Sequence, residues 1–405
     1  MGPRKLQVAA AGLGRMGHRH ALNFLDRTAR AQLVAAFSPD PKEHEWARKN
    51  LEPYGVTLYS DYDEMLQQQG LDAVVIGTAT SVHADEAIKA MRRNLHVLCE
   101  KPLSTSVDVC RQVVEEAKKR PHLKVMCGFS RRFDDRYAAL KHVWTDTLIY
   151  ILGDYALHCY QSAYNKVEQG QIGRPTIIRS QTCDKHDPSG FFVDYAAWSG
   201  GVFVDMSVHD IDLTLWFFGN QILPKSISAH GCIAVQPGLA KHNDVDNAVG
   251  VVEFWDGQIA YYYCSRMMAH GQEGMVIFRI SCAYYTSLSG TVMIFADFAV
   301  DVTEVIGTEG KLSVNLNPQN NLVQMYSGNG ITKEVPAHYY GRFEMAFVKE
   351  ANDFTAACLD DTPLPMTIDN AVKAVQIGSW LQEALVTGKQ IHFDRAGKRI
   401  ERSNL

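Results

Sequence analysis

Short apolar runs alternate with amphipathic stretches through the first third of the chain. LQVAAAG, AQLVAAF, LDAVVIG, HVLCE and LKVMCGF are each a few residues long and bounded by turn-forming or charged residues. Runs of that length with little internal alternation read as buried strands. Between them, SVHADEAIKAMRRN sets Ala84, Ala87, Ile88 and Met91 on one helical face. SVDVCRQVVEEAKKR reads as a helix with Ser104 or Ser106 as its N-cap, and DYDEMLQQ as a shorter one. Strands alternating with helices predict an α/β fold with a parallel sheet and helices on both faces. We expect this Rossmann-type domain over residues 1–130 and a second domain over 131–405.

The first strand runs into Gly12-x-Gly14-x-x-Gly17 and then a helix. Gly12 suits the tight turn, Gly14 the approach of a pyrophosphate, and Gly17 close helix–strand packing. A helix N-terminus at this place offers free N–H groups to phosphate. Leu13, Arg15 and Met16 complete the loop, and Thr78, Thr80, His83, Glu100 and Lys101 at later strand ends are further cofactor-binding candidates. After the second strand, where a carboxylate would hold a ribose 2′-hydroxyl, stands Ser38. Ser38 can donate to a 2′-phosphate, with Lys42 or Arg15 to pair with it, so the expected cofactor is NADP in preference to NAD. Asp40 close by keeps NAD open.

Composition narrows the class. The chain has 405 residues, 46% hydrophobic and 21% charged, which fits a soluble protein of two or three domains. A net charge of −5 leaves no basic footprint for nucleic acid. Nine cysteines without a CxxC pair fit reduced thiols, and hence a cytoplasmic protein. MGPRKLQVAAAG shows no signal segment, and Leu6 stands where myristoylation needs Ser or Thr. The apolar stretch around 275–300 is broken by Arg279, Ser289, Gly290 and Asp297, so no membrane span is expected. No zinc spacing surrounds His186, and no metal is expected.

The strand HVLCE ends abruptly in Glu100-Lys101-Pro102. In parallel sheets ligands bind at the carboxyl ends of strands, so this charged break belongs on the ligand-facing edge. Together GLGRMG, TATSVHAD, CEKP and GFSRRFD resemble the Gfo/Idh/MocA oxidoreductase family, and GQIGRPTIIRSQ, SGGVFVDMSVHDIDLTLWFFG and EVIGTEGKLSVN extend the likeness. The resemblance implies a second, α+β domain with a large, mostly antiparallel open sheet, used for association as a homodimer or homotetramer. C-terminal helices would be free to pack back on the first domain. It also implies that Lys101 lies beside nicotinamide and substrate, and that Asp205 and His209 are the partners of the D-x-x-x-H motif.

The chemistry suits those residues. Oxidation of an alcohol needs a proton acceptor while the cofactor takes hydride, and histidine titrates in the right range. Asp205 and His209, four apart, would share one face of a helix. Gly200 and Gly201 would let that helix enter the site closely, and Pro102 would fix the backbone after Lys101. Asp210 and Asp212 read as helix-surface or capping residues. Arg132, Lys185 and Asp187 are the candidates for substrate hydroxyls, the latter two in a polar loop that resembles inositol dehydrogenase-like members of the family. The expected activity is NAD(P)-dependent hydride transfer to or from a cyclic polyol or sugar. The alternatives are a non-catalytic NAD(P)-binding regulator, which would be expected to lack Lys101 or His209, and an NADP-dependent sugar or dihydrodiol dehydrogenase.

Two segments break the pattern. Residues 141–161 and 274–300 are rich in aromatic and branched side chains, lack clean periodicity, and interrupt elements where insertions are poorly tolerated. They read as translated introns, the alternative being true insertions. A spliced transcript is expected to lack both coding segments; a mature transcript that carries them would make them insertions.

Overall fold

The apolar runs form strands because each carries too few polar positions to face water on either side. A computed structural model describes residues 4–134, 160–268, 302–314, 324–327, 330–333 and 339–401. Segment 274–300, and 141–161 apart from Tyr160 and Gln161, lie outside the described residues. The strands are β1 (Leu6–Ala11), β2 (Ala31–Phe37), β3 (Thr57–Tyr59), β4 (Ala73–Ile76), β5 (His96–Glu100) and β6 (Val125–Gly128). They pair in the order β3-β2-β1-β4-β5-β6, all parallel. Every residue of β4 and β6 is buried, as a sheet covered on both faces requires. The order reverses between β1 and β4, which puts the ligand crevice at their carboxyl ends.

Helices Gly17–Asp26, His83–Arg92 and Val107–Lys118 follow the pattern read from the sequence, and a further helix, Pro41–Asn50, comes second among them. Asp40 caps the second by accepting from Lys42 N at 2.8 Å, and Ser106, not Ser104, caps the fourth. The chain divides into two compact units. The first gathers Met1–Gln161, Ala197–Gln221 and Glu344–Gln382; the second gathers Ser162–Ala196, Ile222–Phe343 and Glu383–Leu405. The short helix Val202–Asp205 and the helix Val208–Phe218 therefore belong to the unit of the parallel sheet.

The second unit contains β7 (Pro175–Lys185), β8 (Pro224–Cys232), β9 (Asn247–Phe254), β10 (Ile259–Met268), β11 (Val302–Gly307), β12 (Lys311–Val314), β13 (Gln324–Ser327), β14 (Gly330–Lys333), β15 (Ile391–Phe393) and β16 (Arg399–Ile400). Among the described residues eight of them form one sheet, β12-β11-β7-β10-β9-β8-β15-β16, in which only β7 and β10 run parallel. β13 and β14 make a separate hairpin. Alternate residues of β9 and β10 are buried, and Val249, Val251, Tyr261 and Tyr263 share the half-open face. Behind it the Arg266 guanidinium, fully buried, meets Asp244 at 3.1 Å and lies 5.3 Å from the Phe192 ring centre.

Candidate active site

The glycine loop is shaped for a dinucleotide. Gly12 has φ +79°, and a Cβ there would meet Thr78 N at 2.6 Å. A Cβ on Gly17 would stand 1.9 Å from Gly12 O, so the helix can start here only without a side chain. That helix has no side-chain cap and no acidic residue in its first turn, which leaves its positive end for an anion. Arg15 is exposed and Met16 half-buried at this turn, and Gly14 O accepts from His18 N at 3.1 Å.

At the end of β2 the structure differs from the sequence-based expectation. Ser38 is fully buried, and its hydroxyl donates to Glu43 while accepting from Asp40 N at 3.0 Å. Glu43 also accepts from Leu13 N at 3.0 Å, so its carboxylate sits on the glycine loop itself. A carboxylate thus stands at the glycine loop, brought there from the next helix. Its disguise is the D-x-x-E spacing of Asp40 and Glu43, which reads as an ordinary capping box.

The remaining strand-end candidates are mostly engaged with the protein. Thr78 donates to Glu86 at 2.6 Å, and burial pushes the Glu86 carboxyl up to about 7. Thr80 is half-buried in the turn that follows. His83, expected near the cofactor, is buried with Nδ1 2.9 Å from Pro102 O and Nε2 3.1 Å from Thr78 O. Glu100 is buried; Oε1 accepts from His20 Nε2 at 2.8 Å and Oε2 from Lys101 N at 3.1 Å. Burial would raise the Glu100 carboxyl, but the His20 bond and the nearby positive charges outweigh it and hold the group below its ordinary value.

Lys101 Nζ donates to the main-chain carbonyl of Asp205 at 3.1 Å. The motif Asp205-x-x-x-His209 does not lie on one helix as expected. Asp205 ends one short helix, and His209 lies in the first turn of the next. The joining residues Met206 and Ser207 keep right-handed helical dihedrals, so the backbone turns without extending. Gly200 and Gly201 precede them at φ +80° and +90°. A Cβ on Gly200 would stand 3.1 Å from the Thr105 side chain, just beyond Lys101-Pro102, which is the close entry expected of it.

His209 is half-buried. Its Nδ1 is enclosed with no hydrogen-bond partner among the described residues, and the Phe129 ring stands edge-on 6.0 Å away. Nε2 is left as the accessible nitrogen. Burial, and then the positive charges of Lys101 and Arg131, drive the imidazole pKa well below 6.5. The ring is therefore a neutral base at neutral pH, beside a cation.

Arg132 is engaged within the protein. Its Nε and Nη2 each reach an Asp212 carboxylate oxygen at 2.7 Å, with the guanidinium 5.2 Å from the Trp216 ring centre. Arg131 Nη1 meets Asp210 at 2.8 Å. The aspartates, expected as helix-surface or capping residues, are 0% and 1% exposed, and the arginines 4% and 3%. The arginine pair supplies the reason: carboxylates enter a core when guanidinium donors meet them there. Lys185 and Asp187 fall in the second unit. Lys185 ends β7, and Asp187 accepts from Ser189 N at 2.8 Å, closing a local turn.

Residues 6–129 match the family described as oxidoreductases with an NAD-binding Rossmann fold, and residues 160–313 match the GFO/IDH/MocA C-terminal domain. A myo-inositol 2-dehydrogenase of Thermotoga maritima is 30% identical over 66% of this chain and 71% of its own. The chain belongs to the Gfo/Idh/MocA oxidoreductase family. It is a nicotinamide-dinucleotide-binding enzyme acting on CH–OH groups. A scyllo-inositol 2-dehydrogenase (NAD(+)) of Bacillus subtilis is 28% identical over 96% of this chain and 97% of its own. The crystal structure of scyllo-inositol dehydrogenase from Lactobacillus casei with NAD(H) and scyllo-inositol superposes with a TM-score of 0.78, at 28% identity, over 96% of this chain and 99% of that one.

A histidine at position 209 that accepts a proton would have to be neutral. The kcat/KM profile is expected to rise with pH and reach its plateau early, with the midpoint of its acid limb below 6.5. A midpoint at or above 6.5 would contradict the assignment of His209 as base.

Proposed function

We propose that the protein is an NAD-dependent dehydrogenase of a cyclic polyol, an inositol, oxidising a ring hydroxyl to a ketone. The observation that carries this reading is the meeting of Lys101 Nζ with the Asp205 carbonyl at 3.1 Å, four residues before the neutral base His209. The relatives named above, a scyllo-inositol and a myo-inositol 2-dehydrogenase and the scyllo-inositol dehydrogenase structure, support the substrate class.

The backbone of Gly12, Leu13, Gly14, Arg15, Met16 and Gly17 would hold the dinucleotide phosphates, and Glu43 would accept from the adenosine ribose hydroxyls. When bound, the nicotinamide supplies hydride acceptance from the carbinol carbon. His209 Nε2 takes the hydroxyl proton as the C=O bond forms, a role that places the ring's own proton on Nδ1. Lys101 supplies fixed positive charge where the oxygen becomes alkoxide-like. The Asp205 carbonyl aims the ammonium, so part of the role expected of the Asp205 side chain is taken by its main chain. Glu43 supports NAD over the NADP favoured by sequence, because a carboxylate on the glycine loop repels a 2′-phosphate.

Incubation with NAD or NADP and a panel of inositols, pentoses and hexoses, read by absorbance of the reduced cofactor, tests this directly. Turnover of an inositol with NAD is expected; cofactor binding without turnover of any polyol would favour the regulator. Lys101→Ala and His209→Ala are each expected to lower kcat by about 10²- to 10⁴-fold with little change in NAD affinity. Unchanged turnover removes that residue from its role. Separately, Glu43→Gln is expected to shift the NADP-to-NAD ratio of kcat/KM upward by about tenfold, roughly 1.4 kcal/mol. An unmoved ratio would return cofactor choice to other residues.

A further inference from the structure

His20 lies on the helix that begins at Gly17, far along the chain from Lys101, and no part of the chemistry above uses it. It is buried, and its Nε2 donates to Glu100 Oε1 at 2.8 Å. The other oxygen of that carboxylate takes Lys101 N at 3.1 Å. One ionised, buried carboxylate thus bridges the helix of the dinucleotide loop and the backbone of Lys101. Its surroundings offer little alternative. Behind it Glu350 is fully buried, with both carboxyl oxygens lacking a partner among the described residues. Burial, and then the Glu100 charge, hold the Glu350 carboxyl well above its ordinary value. The Phe347 ring closes on His20 edge-on at 5.8 Å. Beyond Lys101, Pro102 O is in turn bonded by His83 at 2.9 Å.

We infer that His20, acting through Glu100, is a positioning residue for Lys101, and that it ties the placement of Lys101 to the helix whose N-terminus faces the dinucleotide phosphates. A buried carboxylate that loses one of two donors seeks another partner. Glu100 can then keep its bond to Lys101 N only by moving it. The inference rests on the catalytic reading of Lys101, because displacement of an inert lysine would leave turnover untouched.

The test compares His20→Leu, His20→Gln, Glu100→Gln and Lys101→Ala in the full chain with NAD and the best inositol of the panel. His20→Leu is expected to lower kcat at least about tenfold, because misplacement by about 1 Å can cost about 100-fold. KM and the dissociation constant for NAD, followed by fluorescence, should change less than twofold. His20→Gln, whose amide N–H₂ can donate to the same oxygen, is expected to restore most of kcat. Glu100→Gln, in which one oxygen accepts where two did, should fall like His20→Leu and covers the case in which the leucine variant does not fold. Wild-type kcat in His20→Leu, or equal losses in the leucine and glutamine variants together with weakened NAD binding, would overturn the inference. Wild-type kcat in Lys101→Ala would instead overturn the catalytic reading beneath it.

Discussion

The site depends first on two buried ion pairs. Arg131–Asp210 and Arg132–Asp212 join the turn after β6 to the helix Val208–Phe218, and His209 stands one residue before the first of those aspartates. Residue 209 can face Lys101 only if this helix keeps its rotation and height against the parallel sheet. Apolar packing alone leaves a helix some freedom to slide, because methyl groups are interchangeable at small cost. The bidentate Arg132–Asp212 contact has one geometry. Breaking one buried partner costs about 3–5 kcal/mol, so the register is enforced even where the pair adds little net stability.

That placement sets the electrostatics. A histidine among cations, poorly solvated, cannot hold its proton at neutral pH, and the same cations would stabilise negative charge on any oxygen brought beside them. The acid–base behaviour of the site therefore follows from burial and neighbours. A corresponding separation occurs deeper in the unit. Of the two buried carboxyls Glu100 and Glu350, the one with donors is ionised and the one without is driven toward its neutral form. Like charges close together in a low dielectric cannot both persist.

Much of the first unit could be read in the chain. Strands with few polar positions, glycines where a side chain would strike backbone, and the cap Ser106 act within a few residues of themselves. Their consequences are local, and they appear where expected. The partners of Arg132, His83 and Ser38 were not legible, because each side chain is engaged by a group distant in sequence or oriented by the fold. Arg132 meets Asp212, His83 meets Pro102, and Ser38 meets a glutamate that the capping pattern conceals.

The sequence by itself determined the parallel sheet, the dinucleotide loop, and the presence of a lysine and a histidine suited to alcohol oxidation, since periodicity and backbone sterics are short-range properties. Tertiary structure alone decided which carboxylate stands on the glycine loop, which arginines are bound inside the unit, and that His20 reaches Lys101 through Glu100. Those outcomes are set by which donors meet which acceptors when distant segments pack, and a buried polar group accepts whatever partner the fold brings to it.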